Sequence, residues 1–408
     1  MDLNDHRTLG RRLGLFDTAS DVGAGLPIWL PDGAILREQL EGFAAEIAER
    51  SGCQRVYTPV LAKRSLFERS GHWEKFSADM FPPMRVGGDE LVLRPANCPS
   101  HVEVYRAAAH SWRDLPLRLS ESASMFRSEL TGVLGGLSRV RQISLDDAHV
   151  FCRPDQVVDE VVHALKAIRI AYDVLGIDIA SVRLSVRGTA GAEAGDDDTW
   201  AASEQDLSGA LERLGLRAHR APGEGAFYGP KIDVQIRDAA GREQTLSTVQ
   251  VDRVLPQRFA LRYAAADGSI ARPVMVHRGL IGSMERLVAV LIEQYQGRFP
   301  TWLAPVQIAL LPLDPRRHAD DVSRIQRRFA DAGIRARLED RGSLGARIRR
   351  VRDARIARVA VIGDRELAED TVSIDDRAVP VEALIARIQD EIRTRAREPR
   401  TALEDRRS

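Results

Sequence analysis

Long apolar stretches, cysteines and lysines are all scarce in this 408-residue sequence, and each scarcity removes a class of protein. No apolar run approaches the ~20 residues that a helix needs to cross a bilayer. The first residues, Met1-Asp2-Leu3-Asn4-Asp5-His6-Arg7, are polar from the start, unlike a secretory signal. Three cysteines, Cys53, Cys98 and Cys152, are too few and too scattered for a disulfide framework. Net charge is lacking too, since 59 basic residues balance 59 acidic ones. That balance neither favours nor opposes an RNA partner, because phosphate binding depends on where positive charge clusters. Lysine occurs only as Lys63, Lys75, Lys166 and Lys231, so nearly all the positive charge is arginine. What is present, 44% hydrophobic and 29% charged residues, is the make-up of ordinary globular proteins. A cytoplasmic protein with no membrane contact is expected, and its length asks for two domains rather than one core.

Hydrophobic spacing organises the chain. Residues 34–50 place Ile35, Leu40, Phe43 and Ile47 at helical intervals. A short strand is expected over 55–58, stopped by Pro59, with others over 90–94 and 117–120. A β-rich stretch runs from Ser122 to Phe151, broken by a loop near Gly135-Gly136. Helices are expected over 155–174 and 200–214, a hairpin over 231–237 and 245–251, and a glycine-opened helix over 279–296. Antiparallel strands interleaved with helices give an α+β class for this part. Pro300 and Pro305 bracket a linker, after which strands 306–312, 335–339 and 358–363 alternate with helices 316–332, 344–356 and 380–396. The expected domains are therefore 1–302 and a small α/β domain 303–400, followed by a charged tail, 401–408.

Three segments are dense in chemistry-bearing residues. Ser124-Met125-Phe126-Arg127-Ser128-Glu129 leads to Arg139-Val140-Arg141, a strand–loop–strand whose guanidinium groups could pair with phosphate oxygens in a fork. By pattern alone, a solvated charged hairpin accounts for it at least as well. His277-Arg278-Gly279-Leu280-Ile281-Gly282-Ser283-Met284-Glu285-Arg286 ends a strand in a glycine-rich turn, where backbone can approach a ligand. An ordinary tight turn explains that segment too. Phe227-Tyr228-Gly229-Pro230-Lys231 sets an aromatic hydroxyl and a rare lysine around a turn.

Together these segments resemble a known family. Phe126-Arg127-Ser128-Glu129 is similar to motif 2 of the class II aminoacyl-tRNA synthetases, and Gly282-Ser283-Met284-Glu285-Arg286 to motif 3. Asn97-Cys98-Pro99 with His101, Asp146-Asp147-Ala148-His149, Phe227 to Lys231, and Thr301-Trp302-Leu303-Ala304-Pro305 narrow the resemblance to threonyl-tRNA synthetase. It runs from the first residues to 305 in the family's order. The resemblance implies a class II antiparallel-sheet catalytic domain followed by an anticodon-binding-like domain, in a homodimer. It implies a zinc ion on Cys98, His149 and His277, which spacing alone would not have grouped. Three protein ligands leave positions open for a substrate's amino and hydroxyl groups. Apolar packing separates threonine from isosteric valine by only ~100-fold, so an oxygen-seeking metal would add specificity. Asp147 would accept the substrate hydroxyl, with Tyr228, Lys231 and Thr248 also around the amino acid. Arg127 and Arg286 would act on the α- and γ-phosphates of ATP, bridged by Mg2+. Glu129, Arg139, Arg141, Ile143 and Ser283 would complete the nucleotide site.

The sequence also departs from that pattern. The core begins at once, so the expectation is that the family's editing domain is missing and that serine is misactivated. Ala96, Gln142, Ile143, Leu145, Thr245 and Gly135 stand where the family carries other residues, and Leu145 and Thr245 replace glutamines. In the C-terminal domain Glu366 matches an anticodon-reading residue, whereas Asp375, expected on the next strand, replaces an arginine and would lose a bidentate donor. Three readings follow. One is a threonyl-tRNA synthetase, in the form of a second or inhibitor-tolerant copy. Another is a tRNA-independent ligase that loads threonine or another β-hydroxy amino acid onto a carrier protein. The third is an inactive paralogue with a binding role, against which the retained arginines and ligand triad speak.

Overall fold

The protein is represented by a computed structural model that describes residues 5–188 and 194–398. Its contacts divide the chain into two compact units. One holds residues 18–27 and 41–288, and the other holds 5–17, 28–40 and 289 onward. Among the described residues no helix is long and apolar enough to cross a membrane. The expected tail, 401–408, lies outside the described residues.

The larger unit is α+β, built on an eight-stranded sheet. In spatial order its strands are His219–Pro222, Ser181–Val186, Lys231–Arg237, Glu243–Asp252, Val274–Ser283, Gln142–Cys152, Leu117–Phe126 and Gln54–Arg55. All neighbours are antiparallel except the two outermost pairs, which are parallel. Side chains alternate across a strand, so the central strands Glu243–Asp252, Val274–Ser283 and Gln142–Cys152 give one face to a covering helix and the other to a cavity. The helix Val157–Leu175 covers one face with Val161, Ile168 and Tyr172, and Tyr172 Oη lies 2.7 Å from Ser247 Oγ. The helix Cys98–Arg106 belongs to a core with Leu119, Phe151 and Met275. The three-stranded sheet Leu61–Lys63, Asp89–Leu93, Met84–Val86 lies in the same unit.

Two expectations change here. The strand expected over 55–58 is only Gln54–Arg55. The glycine-rich segment is strand rather than helix, for Val274–Ser283 runs through both glycines and the helix starts at Met284. Gly282 explains this locally. It sits at φ +66° where the register shifts, and a Cβ there would stand 2.2 Å from the Leu246 carbonyl oxygen. Glycine lets the strand bulge past its neighbour instead of stopping.

In the second unit a five-stranded sheet runs Ala336–Leu338, Ile308–Pro312, Val359–Ile362, Thr371–Ile374, Arg377–Pro380. The first three strands are parallel and the last two antiparallel. Ile308 and Leu310 point into a core with Phe329 and Ile388, while Ala309 and Leu311 meet Val351 on the other face. Period-two burial on both faces is why helices Pro315–Asp331, Leu344–Asp353 and Val381–Thr394 all find a sheet to cover. Asp375 is not on a strand. It and Asp376 form the hairpin turn between the last two strands, at φ +49° and +61°. Aspartate tolerates that left-handed backbone better than most residues, which is a conformational reason for its presence.

Candidate active site

Sheet register assembles the site. His149 pairs with His277 across adjacent strands, Asp147 with Gly279, and on the far side Gln250 pairs with His277 and Thr248 with Gly279. Alternation then puts His149, Asp147, Leu145, His277, Gln250 and Thr248 on one face. Cys98 opens the helix Cys98–Arg106, and its Sγ and one nitrogen of each of His149 and His277 all lie within 4.8 Å of one another. His149 Nε2 and His277 Nδ1 are 3.1 Å apart. Two nitrogens each ~2.1 Å from one zinc at tetrahedral angles would be about 3.4 Å apart, so the donors fit that ion in kind and spacing.

The surroundings orient these donors. Asp252 accepts hydrogen bonds from the Val254 and Leu255 amides at 2.7 and 2.9 Å and lies 2.9 Å from His277 Nε2. The carboxylate therefore fixes the His277 proton on Nε2 and leaves the Nδ1 lone pair to face the metal position. Tyr228 stacks on His277 with centroids 4.7 Å apart and donates to Gln250 Oε1 at 2.6 Å. Burial pushes the Cys98 thiol and the Tyr228 phenol well up, and pushes His149 well down. Asp147 is raised by burial to about 7, and its buried Oδ2 has no hydrogen-bond partner among the described residues. An orphaned carboxylate oxygen beside three metal donors is an acceptor suited to a hydroxyl or amine.

A cavity of about 460 Å3 extends from this end toward a cluster of arginines. Cys98, Asp147, Tyr228, Thr248 and His277 line one part, and Arg127, Glu129, Arg139, Ile143, Ser283 and Arg286 line another. Arg286 donates to the carbonyls of Ser138 (3.3 Å) and Thr245 (2.8 Å). Burial, and then the charges of Arg127 and Arg139, push Arg286 below its ordinary pKa. Three mutually repelling guanidinium groups suit a polyphosphate. Glu129 is held in an ion pair with Arg139 at 2.8 Å.

Three residues expected at this site do not line the cavity: His149, which is fully buried, Arg141 and Lys231. Arg141 instead ties its loop together through the Glu129 and Ala24 carbonyls, at 3.0 and 3.2 Å. Lys231 pairs with buried Asp233 at 3.1 Å. Glu366 lies in the other unit, where it accepts from the Gly363 amide at 3.1 Å and pairs with Arg365. Of the departing residues, Ala96, Leu145 and Thr245 line the cavity, and the Thr245 hydroxyl accepts from Gln235 at 2.7 Å. Sequence reasoning missed Gln250, which period-two spacing from Thr248 would have suggested. It also missed the role of Asp252, for which no local signal exists.

The tRNA synthetase class II core domain (G, H, P, S and T) matches residues 81–295, and an anticodon binding domain matches 307–391. The chain is 46% identical over 373 residues to the threonine–tRNA ligase of Halalkalibacterium halodurans, covering 91% of this chain and 58% of that one. With the threonine–tRNA ligase of Geobacillus kaustophilus it shares 44% over 398 residues, covering 95% and 61%. It thus spans about three-fifths of the length of these relatives. A crystal structure of the RNA binding domain of threonyl-tRNA synthetase from Cryptosporidium parvum superposes with a TM-score of 0.87 at 32% identity, covering 95% of this chain and 98% of that one. Giardia lamblia prolyl-tRNA synthetase shares the fold at 17% identity, with a TM-score of 0.72 over 95% and 79% of the chains.

Proposed function

This chain belongs to the threonyl-tRNA synthetases among the class II tRNA synthetases, and from that premise we propose that it activates threonine with ATP and passes the acyl group to tRNA. The observation that carries the reading is one cavity with two chemistries. Its Cys98, His277 and Asp147 end, with the donor His149 buried behind it, suits an amine with a neighbouring hydroxyl, and its arginine end suits triphosphate. A zinc held by Cys98, His149 and His277 would supply coordination for both substrate groups, which valine cannot satisfy. Asp147 takes the hydroxyl hydrogen bond, while Tyr228 and Thr248 bound the amino acid. The substrate carboxylate attacks the α-phosphorus and pyrophosphate leaves. Arg127 holds the α-phosphate and Arg286 the γ-phosphate, and a Mg2+ ion entering with ATP would supply further charge to offset that of the phosphates. A ribose hydroxyl of the tRNA then takes the acyl group and AMP departs. Glu129 reaches the adenine by exchanging its Arg139 contact, with Ile143 covering the base. Residues 1–302 carry activation and 303–400 contact tRNA, through Glu366 among others, in a homodimer.

A second reading rests on Leu145 and Ala96 in the cavity wall. These apolar residues suit a β-hydroxy amino acid other than threonine, delivered to a carrier protein. Amino-acid-dependent ATP–pyrophosphate exchange, followed by charging of total tRNA, separates the two. Exchange and charging with threonine support the proposal. Exchange without charging moves the assignment to the second reading, and a folded protein with neither overturns both.

A further inference from the structure

Behind Cys98, His149 and His277 lies a buried line of hydrogen-bonding groups that the proposed reaction leaves unused. Asn97, His101 and His149 are fully buried, and Glu121 nearly so. His149 Nδ1, the nitrogen turned away from His277, lies 2.8 Å from His101 Nδ1. The two rings meet edge to face, 4.8 Å between centroids. His101 Nε2 in turn lies 2.9 Å from Asn97 Nδ2 and 3.3 Å from Glu121 Oε2. Arg94 anchors the far end, donating to Asn97 Oδ1 at 2.7 Å and to Glu121 Oε1 at 3.0 Å. Thr58 donates to Glu121 Oε2 at 2.7 Å.

Donor and acceptor roles along this line are coupled. Two neutral imidazole nitrogens that face each other at hydrogen-bond distance must share one proton, so the tautomer of His101 dictates that of His149. With Asn97 Oδ1 committed to Arg94, its Nδ2 donates to His101 Nε2. His101 then donates from Nδ1 to His149, and His149 carries its own proton on Nε2, directed at His277 Nδ1. Ligation through His149 Nε2 requires the opposite order. His149 must hold its proton on Nδ1 and donate to His101, and His101 must then donate from Nε2. Glu121 Oε2, 3.3 Å away, is the acceptor placed to receive that bond, and Asn97 Nδ2, 3.2 Å from the same oxygen, then donates to Glu121 instead of to His101.

We propose that His101, backed by Glu121, is a positioning residue for the metal centre, setting which nitrogen of His149 carries the proton and so whether His149 can ligate. The inference rests on reading Cys98, His149 and His277 as metal ligands. It gives a single helix two tasks, since Cys98 and His101 are three residues apart and lie on the same helix face. On metal uptake the line reverses with no net change in histidine protons. The Nε2 proton of His149 leaves, the Nδ1 proton of His101 passes to His149, and a proton arrives at His101 Nε2 toward Glu121.

Cobalt titration of the metal-free full chain tests this, read by affinity and by the visible d–d bands of the bound ion. His101→Phe removes the acceptor and should weaken Co2+ binding ~10–100-fold and change the band shape, the scale on which groups behind a metal ligand act. His101→Asn keeps an amide oxygen near the Nδ1 position and should restore both to within a few-fold. A folded His101→Phe protein with unchanged affinity and spectrum overturns the proposal. Should that variant not fold, the unsubstituted protein decides, with its histidine rings labelled with nitrogen-15. His101 and His149 should both switch tautomer when Zn2+ is added, and a His101 ring indifferent to zinc overturns the idea. Failure of the unsubstituted protein to bind either ion would instead overturn the metal reading itself.

Discussion

Arg286→Ala separates two contributions of one guanidinium. In the structure Arg286 is half-buried and gives hydrogen bonds to the Ser138 and Thr245 carbonyls. Losing two such bonds costs about 3 kcal/mol, each net bond to a charged donor being worth ~1.5 kcal/mol or more. Removing one of three repelling cations offsets part of that, since Arg127 and Arg139 already depress Arg286. The expected loss of stability is therefore moderate, about 2 kcal/mol. The kinetic loss should be larger. A preorganised donor aimed at charge that develops in the transition state is worth ~3–4 kcal/mol, or ~100–1,000-fold in rate. Arg286→Lys keeps the charge but loses the planar fork that grips carbonyls and phosphate together, and should recover at most about tenfold of the loss. Pyrophosphate exchange at saturating threonine with ATP varied, alongside thermal melts, reads both quantities. A folded Arg286→Ala protein whose kcat/KM for ATP stays within threefold of the parent would refute the assignment.

Gly282→Ala forces a Cβ to 2.2 Å from the Leu246 oxygen at a left-handed φ, whereas the nearest neighbour of a Cβ at Gly279 is 3.9 Å away. Denaturant titration should show a loss of at least about 3 kcal/mol for the first and under about 1 kcal/mol for the second; equal losses would mean that the bulge is not what Gly282 supports. Burial raises the Glu121 carboxyl, but its close contacts with His101, Thr58 and Arg94 outweigh it and hold it at about 2 against an ordinary 4.5. A depressed folded pKa gives stability that is complete above pH ~4.5 and lost as the pH falls toward 2, at most about 3 kcal/mol here. Acid unfolding of Glu121→Gln should show a correspondingly flatter pH dependence, and an unchanged slope would count against the network. Chelation of the metal should raise the KM for threonine much more than that for ATP; equal effects would argue that the metal is structural. With zinc present, serine should support exchange by the 408-residue chain and valine should not, and robust exchange with valine would contradict the proposed discrimination.

Sequence periodicity located the long elements well, because a helix such as Val157–Leu175 or the hairpin of Lys231–Arg237 and Glu243–Asp252 is decided by which residues must be buried a turn or two apart. The resemblance to a family, rather than local pattern, marked Arg127, Asp147, His277 and Arg286, for each of which the local pattern alone had an ordinary explanation or gave no signal. Local pattern misread the segment after His277 as helical because two glycines look like a helix opening, while the tight approach to Leu246 that makes one of them a strand bulge is a contact across the sheet. For Asp375 the sequence suggests a lost RNA contact, and the hairpin turn adds a backbone reason that the sequence did not show. Metal donors at positions 98, 149 and 277 share no spacing, and neither do Asn97, His101 and Glu121 with the histidine they support. Strand register put His149 opposite His277, and one helix start brought Cys98 and His101 to them. Composition and period fix what an element is, because those depend on near neighbours. Which distant side chains share a proton or an ion depends on register and packing, and only the folded chain decides that.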